Sequence, residues 1–126
     1  MIDWDQVQYF AEAEFACKCG CGQADMQEDF ISLLDKAREE AGVSFVVTSG
    51  FRCAAYNAMI PGASTESSHT RGYAADIATQ SSYRRLRILR SFLDLDVERL
   101  GVYHDGHIHV DTDPEKPQGV CWTGVS

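Results

Sequence analysis

Histidines and one carboxylate carry the first chemical signal in this chain. His104, His107 and His109 stand close together, and His69 stands apart. In Gly106-His107-Ile108-His109-Val110-Asp111, the period of a strand puts His107, His109 and Asp111 on one face. Ile108 and Val110 fall on the other. Two alternate histidines opposite an apolar face look like a site built on a half-buried strand. The segment Ser67-Ser68-His69-Thr70-Arg71-Gly72-Tyr73-Ala74-Ala75-Asp76 offers a neutral imidazole and a carboxylate. On a strand over 73–78, Ala74, Asp76 and Ala78 share a face, and the small alanines leave space for an ion. Gly72 lets the backbone turn between His69 and Asp76. Two His and one Asp drawn from these segments give three ligands and leave a fourth position for water. That is the arrangement of a catalytic zinc site rather than a structural one. A lone histidine of this kind is better read as satisfying a local hydrogen bond. The two segments together favour the metal.

Cysteines are the second signal. Five is an odd count, so any intrachain disulfide scheme leaves one unpaired. Cys17, Cys19 and Cys21 are neighbours, and Cys53 and Cys121 are remote. Bridges between such close neighbours are strained, so a bridge from the cluster would reach Cys53 or Cys121. Reduced thiols in a reducing compartment are the plain reading. A Cys-ligated structural zinc is the third, although C-x-C-x-C lacks the wider gaps of ordinary zinc knuckles.

The elements that hold these residues follow from periodicity. Asp25, with Glu28 after it, makes a capping-box pattern. Met26, Phe30, Leu33, Leu34, Ala37 and Ala41 then recur at helical spacing as far as Gly42. The β-branched and aromatic run 43–49 predicts a buried strand that Gly50 ends. Residues 53–59 suit a short helix stopped by Pro61-Gly62, and 63–68 form a polar loop. Ser81 or Ser82 caps a second amphipathic helix reaching about Leu95, with Tyr83, Leu86, Leu89 and Leu93 inward. Its arginines, Arg84, Arg85, Arg87 and Arg90, form a solvated face. Strands over 99–103 and 106–111 make a hairpin through His104-Asp105-Gly106. The tail 114–126 reads as loop, with Trp122 packed on the body. Without regular βαβ alternation, the expected class is α+β, a mainly antiparallel sheet with flanking helices in one domain over 1–126.

Composition excludes some partners. Lys and Arg total 11 against 19 Asp and Glu, a net charge of −8. A surface this acidic argues against nucleic acid or an anionic membrane. No apolar run approaches the length of a membrane span. Met1-Ile2-Asp3-Trp4-Asp5 has neither a basic region nor an apolar core, so no signal peptide is expected.

Ser67-x-His69-x-x-Gly72-x-Ala74-x-Asp76 matches S-x-H-x-x-G-x-A-x-D. On this motif the chain resembles the zinc D-alanyl-D-alanine carboxypeptidases and the phage L-alanyl-D-glutamate endolysins, a group that includes lysostaphin and the hedgehog signalling domain. Thr48-Ser49-Gly50-Phe51-Arg52 resembles that family's strand ending in S-G-[YF]-R. Asn57 and Pro61-Gly62-Ala63 resemble its N-x-x-x-G-G segment, with Pro61 where glycine is usual. His109-Val110-Asp111 resembles its closing H-V-D. The likeness runs from about residue 15 to residue 122 and looks closest to the short, single-domain branch of phage and bacterial proteins.

The resemblance implies one zinc ion per chain, bound by His69, Asp76 and His109. It implies that Arg52 holds a substrate carbonyl or carboxylate and stabilises developing charge; a structural salt bridge is its plainer role. Ser67 would orient a ligand, contact substrate or simply cap a loop. Many carboxypeptidases of the family carry E-x-x-H, with the Glu as general base, and Gly106 stands at that position here. His107 instead gives the H-x-H arrangement of the lysostaphin-like relatives, in which the first His helps activate water. Asp105 and Asp111 compete for that role. The implied function is a zinc metallopeptidase, carboxypeptidase or endopeptidase, hydrolysing peptidoglycan stem or cross-link peptides. It would be a monomer, phage-encoded or cytoplasmic at synthesis, and would act on the wall after release. A zinc-stabilised binding domain of a phage or wall assembly is the alternative. A redox or zinc-knuckle protein centred on the cysteines is a third.

Overall fold

Apolar residues at helical spacing bury one face of helix α1 (Glu28–Ala41), through Phe30, Ile31, Leu34, Ala37 and Ala41. Gly42 ends the helix at φ 67°, in the left-handed region that a Cβ disfavours. The start differs from expectation: Gln27, not Asp25, takes the N-cap position, and its side chain makes no cap bond. The cause is Gly72. Gln27 donates its amide to the Gly72 carbonyl at 3.0 Å and its side-chain Nε2 to the Arg71 carbonyl at 3.0 Å. A Cβ on Gly72 would stand 2.2 Å from the Asp25 carbonyl oxygen. The chain before α1 is thus packed against the turn that carries His69.

The computed structural model describes residues 1–124. Its sheet has five strands: β1 (Val46–Ser49), β2 (Ala74–Ala78), β3 (Arg99–Tyr103), β4 (Ile108–Asp111) and β5 (Val120–Gly124). Their order is β1-β2-β4-β3-β5. The pairs β1/β2, β2/β4 and β3/β4 are antiparallel, and β3/β5 is parallel. The class is α+β, as expected. β1 begins later than position 43. β5 corrects the expectation of a loop-like tail, whose last two residues lie outside the described part. Its side chains are exposed or half-buried, so neither alternation nor burial announces it. Pairing with β3 along its length holds it, and Trp122 does lie against the body.

Helix α2 (Ala54–Met59) is short and has Cys53 at its N-cap. Helix α3 (Ser82–Asp94) starts at Ser81, whose Oγ accepts from the Arg84 amide at 3.1 Å. Its inward face is not the expected one. Ile88, Ser91 and Phe92 are buried, while Tyr83, Leu86 and Leu93 are exposed; only Leu89 of the expected set packs on the core. Phe92 meets Phe45 edge-on at 5.7 Å, which fixes the rotation of the helix. Buried Ser91 is satisfied locally by the Ile88 carbonyl at 2.7 Å. Arg87 binds the Ala41 carbonyl at 2.6 Å and so caps α1. On the sheet, Ala75, Ile77, Ile108 and Val110 join the helices' core. The alternate residues of β2 and β4 form the opposite face, which carries the chemistry.

Candidate functional site

Strand register brings the first two groups together. Asp76 of β2 stands opposite His109 of β4, and His109 opposite Gly101 of β3. Ser49 of β1 pairs with Asp76 after an irregularity in the ladder, and Trp122 of β5 pairs with Gly101. One row of the sheet therefore reads Ser49, Asp76, His109, Gly101, Trp122. Side chains directly opposite each other lie ~4.5–5.5 Å apart at Cβ, so register alone sets carboxylate beside imidazole. Gly101 has to lack a side chain: a Cβ there would stand 2.5 Å from Trp122 Nε1. The indole lies across it, with its ring centre 5.5 Å from that of His109.

His69 arrives from a 3-10 turn, Ser68–Arg71, that precedes β2. Ser67 caps this turn, and its Oγ accepts from the His69 amide at 3.3 Å. Gly72 closes it at φ 78°. The Arg52 amide donates to the His69 carbonyl at 3.2 Å. The ring is buried, and its Nδ1 lies 2.8 Å from the Gly50 carbonyl. A carbonyl can only accept, so Nδ1 carries the proton and the Nε2 lone pair is free. That Nε2 is 3.4 Å from Asp76 Oδ1. His109 is fixed in the complementary way. Its Nε2 lies 2.7 Å from Asp111 Oδ2, and its Nδ1 lies 3.0 Å from Asp76 Oδ1. With Nε2–H donated to Asp111, Nδ1 faces the carboxylate.

Two imidazole nitrogens and a carboxylate oxygen thus converge, all within 4.8 Å of one another. The donor set of two nitrogens and one oxygen fits zinc, and each imidazole is held from behind by an acceptor, as metal-binding histidines usually are. Electrostatics at this point favour a cation. Burial pushes the Asp76 carboxyl up, but His109 and His69 more than reverse it and hold it well below the usual carboxylate range. Burial pulls His109 down, and its bonds to Asp111 and Asp76 raise it above its ordinary value. A place that stabilises a proton between carboxylate and imidazole also suits a metal ion that displaces the proton.

The other expected residues surround this point. Arg52 donates from Nε to Ser49 Oγ at 3.2 Å, from one terminal nitrogen to Asn57 Oδ1 at 3.5 Å, and from the other to Asp76 Oδ2 at 3.4 Å. It therefore grips the carboxylate oxygen turned away from the histidines. His107 precedes β4. Its ring stacks on Tyr103 at 4.3 Å, and its Nδ1 lies 2.6 Å from Asp105 Oδ1. A cleft of about 360 Å³ brings His107 and Asp105 to the same space as Asp76, with Thr48, Ala78 and Thr79 as the other walls. Asp111 is not in that cleft. Its side chain is fully buried, with Oδ2 on His109 and Oδ1 accepting from Arg99 Nε at 2.6 Å. His104 lies outside the set. Position 106 has φ +93°, and a Cβ there would stand 3.2 Å from Thr79 Oγ1, so a glutamate at this position would be strained.

A family model described as Peptidase M15 matches residues 8–111. The chain belongs to the M15 peptidase family. No curated protein matches it. Membership makes this a peptidase domain of a metallopeptidase family, and the matched span contains every residue of the converging set.

Two supports of the M15 site were not singled out from the sequence. Asp113 lies beyond the matched span and is fully buried. It accepts from Ser68 Oγ at 2.6 Å and pairs with Arg71, so it ties both ends of the His69 turn to the end of β4. Arg99 is the second, as the counter-ion beneath Asp111. The alternation of His109, Asp111 and Asp113 was the available signal for the first. Nothing local marks the second.

Proposed function

We propose that this M15 domain is a zinc-dependent peptidase that hydrolyses peptidoglycan stem or cross-link peptides. One observation carries the reading: Nε2 of His69, Nδ1 of His109 and the Asp76 carboxylate converge beside the cleft that holds His107. Zinc held by these three residues would supply Lewis acidity and bring the pKa of a bound water to about 7. The side chains do the rest. His107 gives its Nδ1 proton to the hydrogen bond with Asp105, which leaves Nε2 as the acceptor. That nitrogen takes the proton of the attacking water and returns it to the leaving amine. Arg52 fixes Asp76 through Oδ2 and sets positive charge beside the place where the scissile carbonyl oxygen gains charge. Gly50 and Asp111 keep both imidazoles in the ligating tautomer. The choice of wall peptides as substrate rests on the likeness of the Ser67-to-Asp76 motif to the wall-peptide carboxypeptidases and endolysins.

The test is digestion of purified peptidoglycan and its soluble muropeptides by the zinc-reconstituted protein, read by mass spectrometry. Loss of a terminal D-alanine marks a carboxypeptidase, and a split stem or cross-link marks an endopeptidase. His69→Ala and His109→Ala should lose the active-site zinc and all turnover. A zinc-loaded wild type that releases nothing from any wall fragment would overturn the peptidase reading. It would favour a zinc-stabilised binding domain, the reading to which the glycine at position 106 points.

A further inference from the structure

We infer that Cys17, Cys19, Cys21 and Cys53 form a second metal site, a closed tetrathiolate that takes zinc and clamps the N-terminal segment to the strand end carrying Arg52. The inference is independent of the proposed peptidase activity. Cys17 Sγ lies 3.5 Å from Cys19 Sγ and 3.7 Å from Cys53 Sγ, and Cys19 Sγ lies 3.6 Å from Cys53 Sγ. A disulfide needs about 2.05 Å between sulfurs. Four sulfurs at ~2.3 Å from zinc occupy the corners of a tetrahedron with edges of ~3.8 Å. The three measured edges are close to that value. Cys21 supplies the fourth corner, since all four sulfurs lie within 4.8 Å of one another. Its side chain is exposed, with Gln23 Oε1 3.7 Å from its sulfur, so it can rotate onto the corner without disturbing the core.

The backbone is shaped to do this. Alternate residues of an extended chain would present their sulfurs ~7 Å apart. Here Gly20 and Gly22 take φ +90° and +80°, and no atom lies within 4 Å of where either Cβ would be. Both glycines are needed for conformation rather than for space. The curl is closed by the Cys17 amide on the Gln23 carbonyl at 2.8 Å. Two further amides face the sulfurs: Cys53 N–H donates to Cys17 Sγ at 3.4 Å, and Tyr56 N–H donates to Cys53 Sγ at 3.4 Å. N–H···S bonds of this kind stabilise thiolate ligands as outer partners of a metal. Four protein ligands leave no open position, which makes the site structural rather than catalytic, and tetrahedral S4 coordination selects zinc or iron. With no redox partner group beside it, the assignment is zinc.

What the clamp holds is specific. The Phe51 amide donates to the Phe15 carbonyl at 2.9 Å, and a Cβ on Gly50 would lie 2.7 Å from Phe15 Cα. The segment from Phe15 to Cys17 therefore lies directly on the segment from Gly50 to Cys53, whose carbonyl and guanidinium position His69 and Asp76.

The test is metal counting by plasma mass spectrometry and native mass spectrometry on protein purified under reductant with zinc supplied. The wild type and Cys121→Ser should hold about two zinc ions per chain. The His69→Ala/His109→Ala double variant should hold about one, and Cys19→Ser/Cys21→Ser should lose one equivalent relative to wild type. If the cysteine variant fails to fold, an organomercurial titration of the wild type decides: one zinc should leave in step with four thiols, and the other should stay. A double histidine variant without metal, a Cys17–Cys53 disulfide in the peptide map, or four thiols that titrate without releasing zinc would overturn the site. Iron in place of zinc would overturn the choice of metal. Because the cysteine count is read in the double histidine variant, it stands or fails separately from the peptidase site.

Discussion

Replacing Asp111 by Asn tests whether tautomer control, and not ligand identity alone, makes the zinc site. The Asp111 carboxylate can only accept, so His109 keeps its proton on Nε2 and offers Nδ1 to the ion. An asparagine in the same place can turn its NH2 group toward Nε2. The proton then sits on Nδ1, aimed at Asp76, and the lone pair faces away. Outer partners of metal-bound histidines are worth ~10–100-fold in affinity, about 1.4–2.7 kcal/mol. The loss should fall near the upper end, because the Asp111 side chain is 0% exposed and no bulk water replaces its acceptor. The same change strips Arg99 of its counter-charge. An unpaired buried charge costs ~3–5 kcal/mol of stability, offset in part by the Pro117 carbonyl at 2.7 Å and the Trp122 ring at 5.1 Å.

The two effects separate in measurement. Zinc affinity is read by chelator competition at fixed pH, on protein whose circular dichroism shows it folded. Stability is read by urea denaturation of the stripped protein. Asp111→Asn should bind zinc at the His69 site at least about tenfold more weakly and unfold at lower urea. Weakened stability with unchanged zinc affinity would refute the tautomer argument and leave Asp111 as the counter-ion of Arg99 alone.

Three other substitutions probe the remaining parts. His107→Ala should keep zinc and fold but lose most peptidase activity, ~10²-fold or more, while His104→Ala stays active; a fully active His107→Ala removes His107 from proton transfer. Arg52→Lys keeps the charge and loses the planar fork, so turnover should drop ~10²-fold with zinc retained; an unchanged rate would leave Arg52 only its salt bridge. Asp113→Asn should show an acid-dependent effect on stability. Burial raises the Asp113 carboxyl, but Ser68, the Glu115 amide and the Arg71 charge pull it below its ordinary value. A depressed carboxylate contributes stability above its unfolded pKa of about 3.9, and the contribution is lost as pH falls through the folded value. The urea midpoints of wild type and Asp113→Asn should therefore differ most near neutral pH and draw together below about pH 4. A gap that is constant with pH would show that packing, not charge, accounts for the effect.

Periodicity made α1, α2 and α3 legible in the sequence, and it failed where two apolar sets shared one period. In α3, Leu86, Leu89 and Leu93 satisfy helical spacing as well as Ile88, Ser91 and Phe92 do. Phe45, far away in the chain, selects the second set by packing on Phe92. The start of α1 failed for the same reason. Asp25 and Glu28 are a sound local cap, but the turn at Gly72 needs the backbone of residues 25–27 for itself. β5 carries no local signal, because an exposed edge strand held by pairing need not alternate.

The candidate metal residues were legible because each half of the site is a short motif with its own strand or turn. What stayed hidden was long-range: the register that sets Asp76 against His109, the Arg99 beneath Asp111, and Cys53 completing a cluster whose other members look too close together to bind a metal. These hidden contacts meet in Ser49-Gly50-Phe51-Arg52-Cys53. Ser49 pairs with Asp76 and holds Arg52 Nε. Gly50 turns its carbonyl to His69 and, lacking a Cβ, lets the Phe15 backbone lie on it. Phe51 is buried in the core and anchors the segment. Arg52 reaches Asp76, and Cys53 reaches the thiol cluster. A catalytic group is held to about 0.5 Å only when its supporting residues are themselves locked. A segment tied at one end to the sheet and at the other to a tetrathiolate zinc meets that requirement. A protein with one zinc centre lost should therefore keep the other centre's ligands but lose the precision with which Arg52 and His69 meet Asp76.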